Sequence, residues 1–131
     1  MLQYLASTKA DPVITPRERL ITGSWVRSER PTDDEKKALS DIGIDDDILT
    51  DALDPHEVPR VETDDGWTYF ITRVPDIGDE FNDFTTPIMV AISSDYLVTV
   101  SRDTLGRLWQ PFIDKTRINT RHQATLFIGM M

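Results

Sequence analysis

The chain has 131 residues, no cysteine and a formal net charge of −9, from 23 acidic and 14 basic residues. This length suits one domain with one hydrophobic core, and the lack of cysteine excludes disulfides and thiolate metal or redox sites. The acidic balance argues against nucleic-acid or anionic-lipid partners because like charges repel, whereas cations are compatible with it.

The N-terminal segment, residues 1–5, has neither a basic region nor a long apolar region, so we predict no signal peptide. The apolar runs are also shorter than the roughly 20 residues that a membrane helix needs. We therefore expect a soluble, cytoplasmic piece of chain. Two extended segments are predicted near its start, at residues 2–6 and 24–27.

Two helices are predicted next. Thr32 and Glu35 have the spacing of a capping box, and Gly43 is a typical residue after a helix end. Asp45 caps a second, shorter helix that Pro55 and Pro59 terminate. Its apolar residues fall on one side at 100° per residue, and its acids fall on the other. The apolar side comprises Ile44, Ile48, Leu49, Ala52 and Leu53, and the acidic side comprises Asp46, Asp47, Asp51 and Asp54.

A run of strands follows. Asp64-Asp65-Gly66 is a strong hairpin signal, and Ser94-Asp95 marks a second tight turn. Nearly continuous apolar runs at residues 88–92 and 97–100 are typical of central strands that are covered on both faces. The predicted strands are residues 60–63, 67–74, 86–93 and 96–101.

The last third is predicted to be helical. Residues 105–113 have an apolar face that should pack on the sheet. Thr120 and Gln123 form a second capping box at the start of a helix without a stop signal. We predict an α/β fold with a mixed, parallel and antiparallel sheet and helices on both faces. The domain is expected over residues 1–117, and residues 118–131 are expected to begin a truncated helix.

Catalytic motifs are missing from the sequence. His56 and His122 are far apart, and there is no paired-histidine zinc motif, no nucleophile elbow and no glycine-rich phosphate loop. We therefore do not expect an enzyme.

The acidic face of the second helix is the most informative chemical feature of the sequence. Mg²⁺ and Ca²⁺ prefer oxygen ligands, and carboxylates on one helical face can supply one or two of them. The pattern is not that of an EF-hand. A merely solvated acidic face is the alternative interpretation.

Several motifs resemble those of CorA-type divalent-cation transporters, in particular their N-terminal cytoplasmic domain. Trp25-Val26 matches a family strand, and Pro31-Thr32 matches the cap of the first helix. The most specific segment is Leu49-Thr50-Asp51-Ala52-Leu53, followed by His56-Glu57-Val58-Pro59-Arg60-Val61-Glu62. The resemblance covers roughly residues 20 to 131.

This resemblance implies a sensing and assembly domain on the cytoplasmic side of the cell membrane, with the truncated helix at residues 118–131 leading toward the missing membrane region. The full-length protein would be a homopentameric channel for Mg²⁺, or, as in related branches, for Co²⁺ or Ni²⁺. Asp51 matches the acid that the family uses as a regulatory metal ligand between subunits, and Asp47 and Asp54 are further candidates. Thr50 stands where an acid is common in relatives. The partner carboxylate would lie beyond Met131, so this chain would hold half a site.

Other readings stay open at this stage. One is the zinc-transporting branch of the same superfamily, with Zn²⁺ as the transported ion. Another is a free-standing regulatory domain that binds a small ligand or a protein. This chain alone is expected to be a monomer or a weak dimer, since the main pentamer contacts would lie in the part of the protein that it lacks.

Overall fold

The computed structural model describes residues 1–6, 15–17, 19–75 and 85–103. Within these ranges the chain forms seven strands in one sheet and two helices. Helices α1 (Asp33–Asp41) and α2 (Asp46–Ala52) lie between the third and fourth strands along the chain. The strands are β1 (Leu2–Ala6), β2 (Thr15–Arg17), β3 (Trp25–Glu29), β4 (Arg60–Asp64), β5 (Trp67–Pro75), β6 (Thr85–Ile92) and β7 (Leu97–Ser101).

The sheet joins two antiparallel groups of strands through one parallel pair. Its order is β2-β1-β3-β7-β6-β5-β4. Of the strands that the structure describes, only β3 and β7 run parallel, with Trp25 opposite Leu97 and Glu29 opposite Ser101. The predicted mixed sheet is therefore confirmed. Strand β2 was not predicted from the sequence, because it has three residues and contains Pro16, which donates no ladder hydrogen bond. Its place at the edge of the sheet is where proline is tolerated.

The two predicted turns connect strands as expected. Asp64 pairs with Trp67, and the two residues between them, Asp65 and Gly66, have φ values of 47° and 84°. Positive φ at both central positions is the geometry that matches the twist of a two-residue hairpin. At the second turn, the backbone N–H of Ser93 donates to the carbonyl of Tyr96 over 3.0 Å, which closes the loop between β6 and β7.

Both predicted helix starts are present. The backbone N–H of Glu35 donates to the Thr32 hydroxyl over 3.2 Å, and the Glu35 carboxylate accepts from the backbone N–H of Thr32 over 3.0 Å. This reciprocal capping box begins α1. Gly43 follows the helix with φ of +112°, a conformation that residues with a Cβ rarely adopt.

The hydrophobic core lies between the helices and one face of the sheet. Helix α2 contacts β6 and β7 and buries the apolar side that its sequence predicts. Replacing its buried leucine, Leu49, with alanine would cost about 2–5 kcal/mol of stability. The buried core comprises Val26, Leu39, Ile44, Ile48, Leu49, Ala52, Trp67, Tyr69, Ile71, Met89, Ala91, Val98 and Val100.

The opposite face of the central strands is also buried, as the continuous apolar runs predict. Trp25, Leu97 and Thr99 are buried there, and the indole N–H of Trp25 donates to the Thr99 hydroxyl over 2.9 Å. A buried ion pair joins Arg27 Nη2 and Glu29 Oε1 of the same strand over 2.7 Å. Both charges therefore have a partner, as burial requires.

The helical segments predicted for the last third, residues 105–113 and those after Thr120, lie outside the described residues. The domain boundary predicted between residues 117 and 118 also lies there and stays a prediction. In the parts of the chain that are described, no helix is both long and apolar enough to cross a membrane.

Candidate metal-binding site

Helix α2 carries three of the acidic residues that the sequence singled out, Asp46, Asp47 and Asp51, and hydrogen bonds hold its start. One carboxylate oxygen of Asp45 accepts hydrogen bonds from the backbone N–H groups of Asp47 and Ile48, over 2.9 and 3.0 Å. Asp46 and Asp47 lie in the first turn, where negative charge is favourable toward the helix dipole. The helix therefore begins at a defined residue, and this sets which later residues face the sheet.

The sheet also holds the start of α2 directly. The backbone N–H of Asp45 donates to the Tyr69 hydroxyl on β5 over 3.1 Å. Burial raises the pKa of this hydroxyl, and the nearby carboxylates of Asp45, Asp64 and Asp65 raise it further, although the hydrogen bond from Asp45 opposes them. Tyr69 is thus neutral at physiological pH and acts as an acceptor for the helix.

Asp51 lies on α2 with its side chain 47% exposed, and it forms an ion pair with Arg60 at the start of β4. Arg60 Nη2 donates to Asp51 Oδ2 over 2.7 Å, so the contact uses one of the two carboxylate oxygens. The hydrogen bond to Asp51 is the main reason that the pKa of Arg60 is raised further above its already high value. Arg60 therefore remains a cation under all ordinary conditions.

Two further carboxylates contact the same guanidinium group. Arg60 Nη1 lies 2.6 Å from Glu57 Oε1, and Arg60 Nε lies 3.3 Å from Glu62 Oε1. We call Asp51, Glu57, Arg60 and Glu62 the Arg60 cluster. It combines three carboxylates with one guanidinium, so its formal charge is negative, and it lies beside β4 at an edge of the sheet.

The connection between α2 and β4 is held by a second arginine. Arg73 Nη1 on β5 donates to the backbone carbonyls of Pro55 and Glu57, over 3.1 and 3.2 Å. Its other guanidinium nitrogens donate to the hydroxyl and carbonyl oxygens of Thr85 on β6. Arg73 therefore fixes the loop that brings Glu57 and Arg60 next to Asp51.

The other two predicted ligands do not belong to the Arg60 cluster. Asp47 is exposed in the first turn of α2, one helical turn before Asp51. Asp54 is exposed after the helix end, where its carboxylate accepts from the backbone N–H of His56 over 2.9 Å. Among the described residues, no three histidine, aspartate or glutamate side chains converge in a way that could hold a metal ion.

Sequence reasoning missed Arg60 as the partner of Asp51, although it recognised the segment that contains both residues. The basic residue after Pro59 was one element of that segment, and the nearby Glu57 and Glu62 were others. A cation placed among three acids was the available signal. Which acid it contacts depends on how α2 docks on the sheet, and spacing alone does not determine that.

These features define an α/β domain with a mixed sheet of seven strands within the described residues, and solved structures share this fold. The complete structure of the CorA magnesium transporter from Methanocaldococcus jannaschii has a TM-score of 0.73 and 23% identity, covering 99% of this chain and 43% of that chain. The ZntB cytoplasmic domain from Vibrio parahaemolyticus has a TM-score of 0.74 and 16% identity, covering 98% of this chain and 55% of that one.

Sequence comparison then identifies the family. Residues 22–128 match the family described as CorA-like Mg²⁺ transporter protein, and the chain belongs to this family. The Cobalt/magnesium transport protein CorA of Methanocaldococcus jannaschii is 32% identical over 120 residues, covering 82% of this chain. The chain spans about a third (36%) of the length of that relative. The resemblance inferred from the sequence is therefore confirmed.

Proposed function

We propose that this chain is the cytoplasmic sensing and assembly domain of a CorA-like Mg²⁺ channel. In this proposal the full-length protein is a homopentamer in the cell membrane, and Asp51 binds a regulatory divalent cation between neighbouring subunits. Family membership supports the transport role, and the name of the curated relative includes cobalt and magnesium. The domain itself needs no catalytic chemistry for this role.

The proposal depends mainly on the position and exposure of Asp51. Its carboxylate is half-exposed, it is fixed on a helix that is anchored to the sheet, and no complete metal site surrounds it within the described part of the chain. Mg²⁺ takes one or two protein carboxylates and keeps several waters. A single fixed carboxylate at the surface is suited to complete a site with an acid from a neighbouring subunit.

Regulation follows if the cation binds more tightly to one arrangement of the subunits than to another. A filled site would hold two subunits together and favour the closed state, whereas an empty site would leave carboxylates that repel each other. The difference in cation affinity between the two states is the free energy that drives the switch. Asp47 and Asp54 remain weaker candidate ligands: Asp47 lies one helical turn before Asp51, and the Asp54 carboxylate already accepts from the backbone N–H of His56.

The test is protection of the full-length protein by Mg²⁺ against limited proteolysis. We expect Mg²⁺ to protect the wild type and Asp51→Ala to lose most of that protection. Asp46→Ala is the matched control, since Asp46 is an exposed acid in the first turn of the same helix. Equal protection of all three proteins would contradict a regulatory role for Asp51.

A zinc transporter is the second candidate, because the fold matches the Vibrio parahaemolyticus ZntB cytoplasmic domain with a TM-score of 0.74. The two proposals differ in the transported ion. Uptake of Mg²⁺ and of Zn²⁺ into liposomes that contain the full-length protein separates them, and we expect Mg²⁺ flux to dominate. Flux of Zn²⁺ alone would favour the second candidate.

A further inference from the structure

Asp51 already has a cationic partner in the same subunit. The Arg60 guanidinium donates to Asp51 Oδ2 over 2.7 Å, which is the distance of a charge-assisted hydrogen bond. A divalent cation that approaches this oxygen therefore meets an occupied carboxylate. Coulomb repulsion between the two cations adds to this effect, since both would lie within a few ångströms of Asp51.

Arg60 can release Asp51 without becoming an isolated charge. Glu57 Oε1 lies 2.6 Å from Arg60 Nη1, and the Glu57 side chain is only 11% exposed, so this contact is well sheltered from water. Glu62 Oε1 lies 3.3 Å from Arg60 Nε on the same strand. When Asp51 leaves the guanidinium, Glu57 and Glu62 still lie within ion-pair distance of it, so Arg60 keeps carboxylate partners.

We propose that Arg60 is an intramolecular cation that competes with the regulatory divalent cation for the carboxylate of Asp51 and so lowers the apparent affinity of the site. This inference rests on the proposed function of Asp51. Arginine stays charged throughout the physiological pH range, so the competition is constant and does not respond to pH. Arg60 thereby sets the Mg²⁺ concentration at which the site fills.

The experiment measures the midpoint, which is the Mg²⁺ concentration that gives half-maximal protection of the full-length protein against protease. It compares the wild type, Arg60→Gln, Asp51→Asn and the double variant. Removing Arg60 should lower the midpoint about two- to fivefold, the range expected for the loss of one partly exposed ion pair. In the Asp51→Asn background the same change should neither restore protection nor shift any residual midpoint.

Lys37→Gln is the matched control for net charge, because Lys37 is an exposed lysine on α1. It removes the same charge as Arg60→Gln but from α1 instead of β4, and its midpoint should equal that of the wild type. The competition is disproved if Lys37→Gln lowers the midpoint as much as Arg60→Gln does. It is also disproved if Arg60→Gln shifts the midpoint equally in the Asp51→Asn background and in the wild type.

The outcomes separate this inference from the proposed function. Full protection of Asp51→Asn contradicts the proposed function and the inference together. Loss of protection in Asp51→Asn, with an unchanged or raised midpoint in Arg60→Gln, contradicts the inference alone.

If Arg60→Gln fails to fold because Glu57 loses its partner, Arg60→Lys is the second variant. It keeps a positive charge near Glu57 but lacks the guanidinium group that reaches Asp51. Its midpoint should then fall by a smaller factor, and an unchanged or raised midpoint would overturn the inference.

Discussion

The hydroxyl of Tyr69 accepts a hydrogen bond from the backbone N–H of Asp45 over 3.1 Å. Tyr69 lies on β5 and is buried in the core, and Asp45 is the residue that caps α2. This contact joins the start of the helix to the sheet, six residues before Asp51. The position of the candidate ligand therefore depends on a tyrosine that holds the start of its helix.

Tyr69→Phe should destabilise the domain by about 1 kcal/mol, because the backbone N–H of Asp45 loses its acceptor while the ring packing is kept. The free energy of unfolding in a denaturant titration measures this change. The two proteins should show the same dependence on denaturant concentration, since the buried surface is unchanged. An unchanged free energy of unfolding would show that water replaces the hydroxyl at no cost.

Two glycines with positive φ provide a matched pair for a packing test. A Cβ built at Gly43 would lie 2.8 Å from Nε1 of Trp67, whereas a Cβ at Gly66 would meet no atom within 4 Å. Gly66→Ala should lower the free energy of unfolding by about 1 kcal/mol, because alanine disfavours the positive φ at this position. Gly43→Ala should cost a further 1–3 kcal/mol or so, because Trp67 must shift. Thermal or denaturant unfolding measures both, and equal losses would contradict the close approach of Trp67.

Glu35 should make part of the stability depend on pH. Burial raises the pKa of its carboxyl, but hydrogen bonds from Thr32 and from the ammonium group of Met1 outweigh this effect and lower the pKa below its ordinary value. The stabilisation is therefore present above the pKa of the unfolded state, about 4.3, and is lost as pH falls through the lower pKa of the folded state.

Unfolding measured between neutral and acidic pH checks this, with Glu35→Gln as the comparison. The wild type should be the more stable protein near pH 7, and the difference should shrink at a pH below about 4. All other carboxyls titrate in both proteins, so the difference isolates Glu35. Parallel stability curves over the whole range would show that Glu35 does not contribute through its charge.

Local signals in the sequence accounted for much of the fold. Capping residues Thr32 and Asp45 placed the helix starts, and Asp65 with Gly66 placed the hairpin between β4 and β5, because each of these depends on a few neighbouring residues. The parallel pairing of β3 with β7 was not predicted residue by residue, since it joins segments about 70 positions apart. Such pairings depend on the packing of the whole sheet.

The candidate site was predicted in part for the same reason. Asp51 was placed on the acidic side of a helix by periodicity, and its family role was inferred from the surrounding segment. Its ion pair with Arg60 and the support that Arg73 gives to the connecting loop require the docked arrangement of α2, β4 and β5. Tertiary contacts of this kind are not encoded in spacing along the chain.

Flux through the full-length protein in liposomes, measured as Mg²⁺ is raised on the side that this domain faces, is the most direct test of the account. Wild-type conductance should fall as Mg²⁺ fills the site, and Asp51→Ala should continue to conduct at Mg²⁺ concentrations that close the wild type. Asp46→Ala should close like the wild type. If Asp51→Ala closes at the same Mg²⁺ concentration as the wild type, Asp51 is not a regulatory ligand.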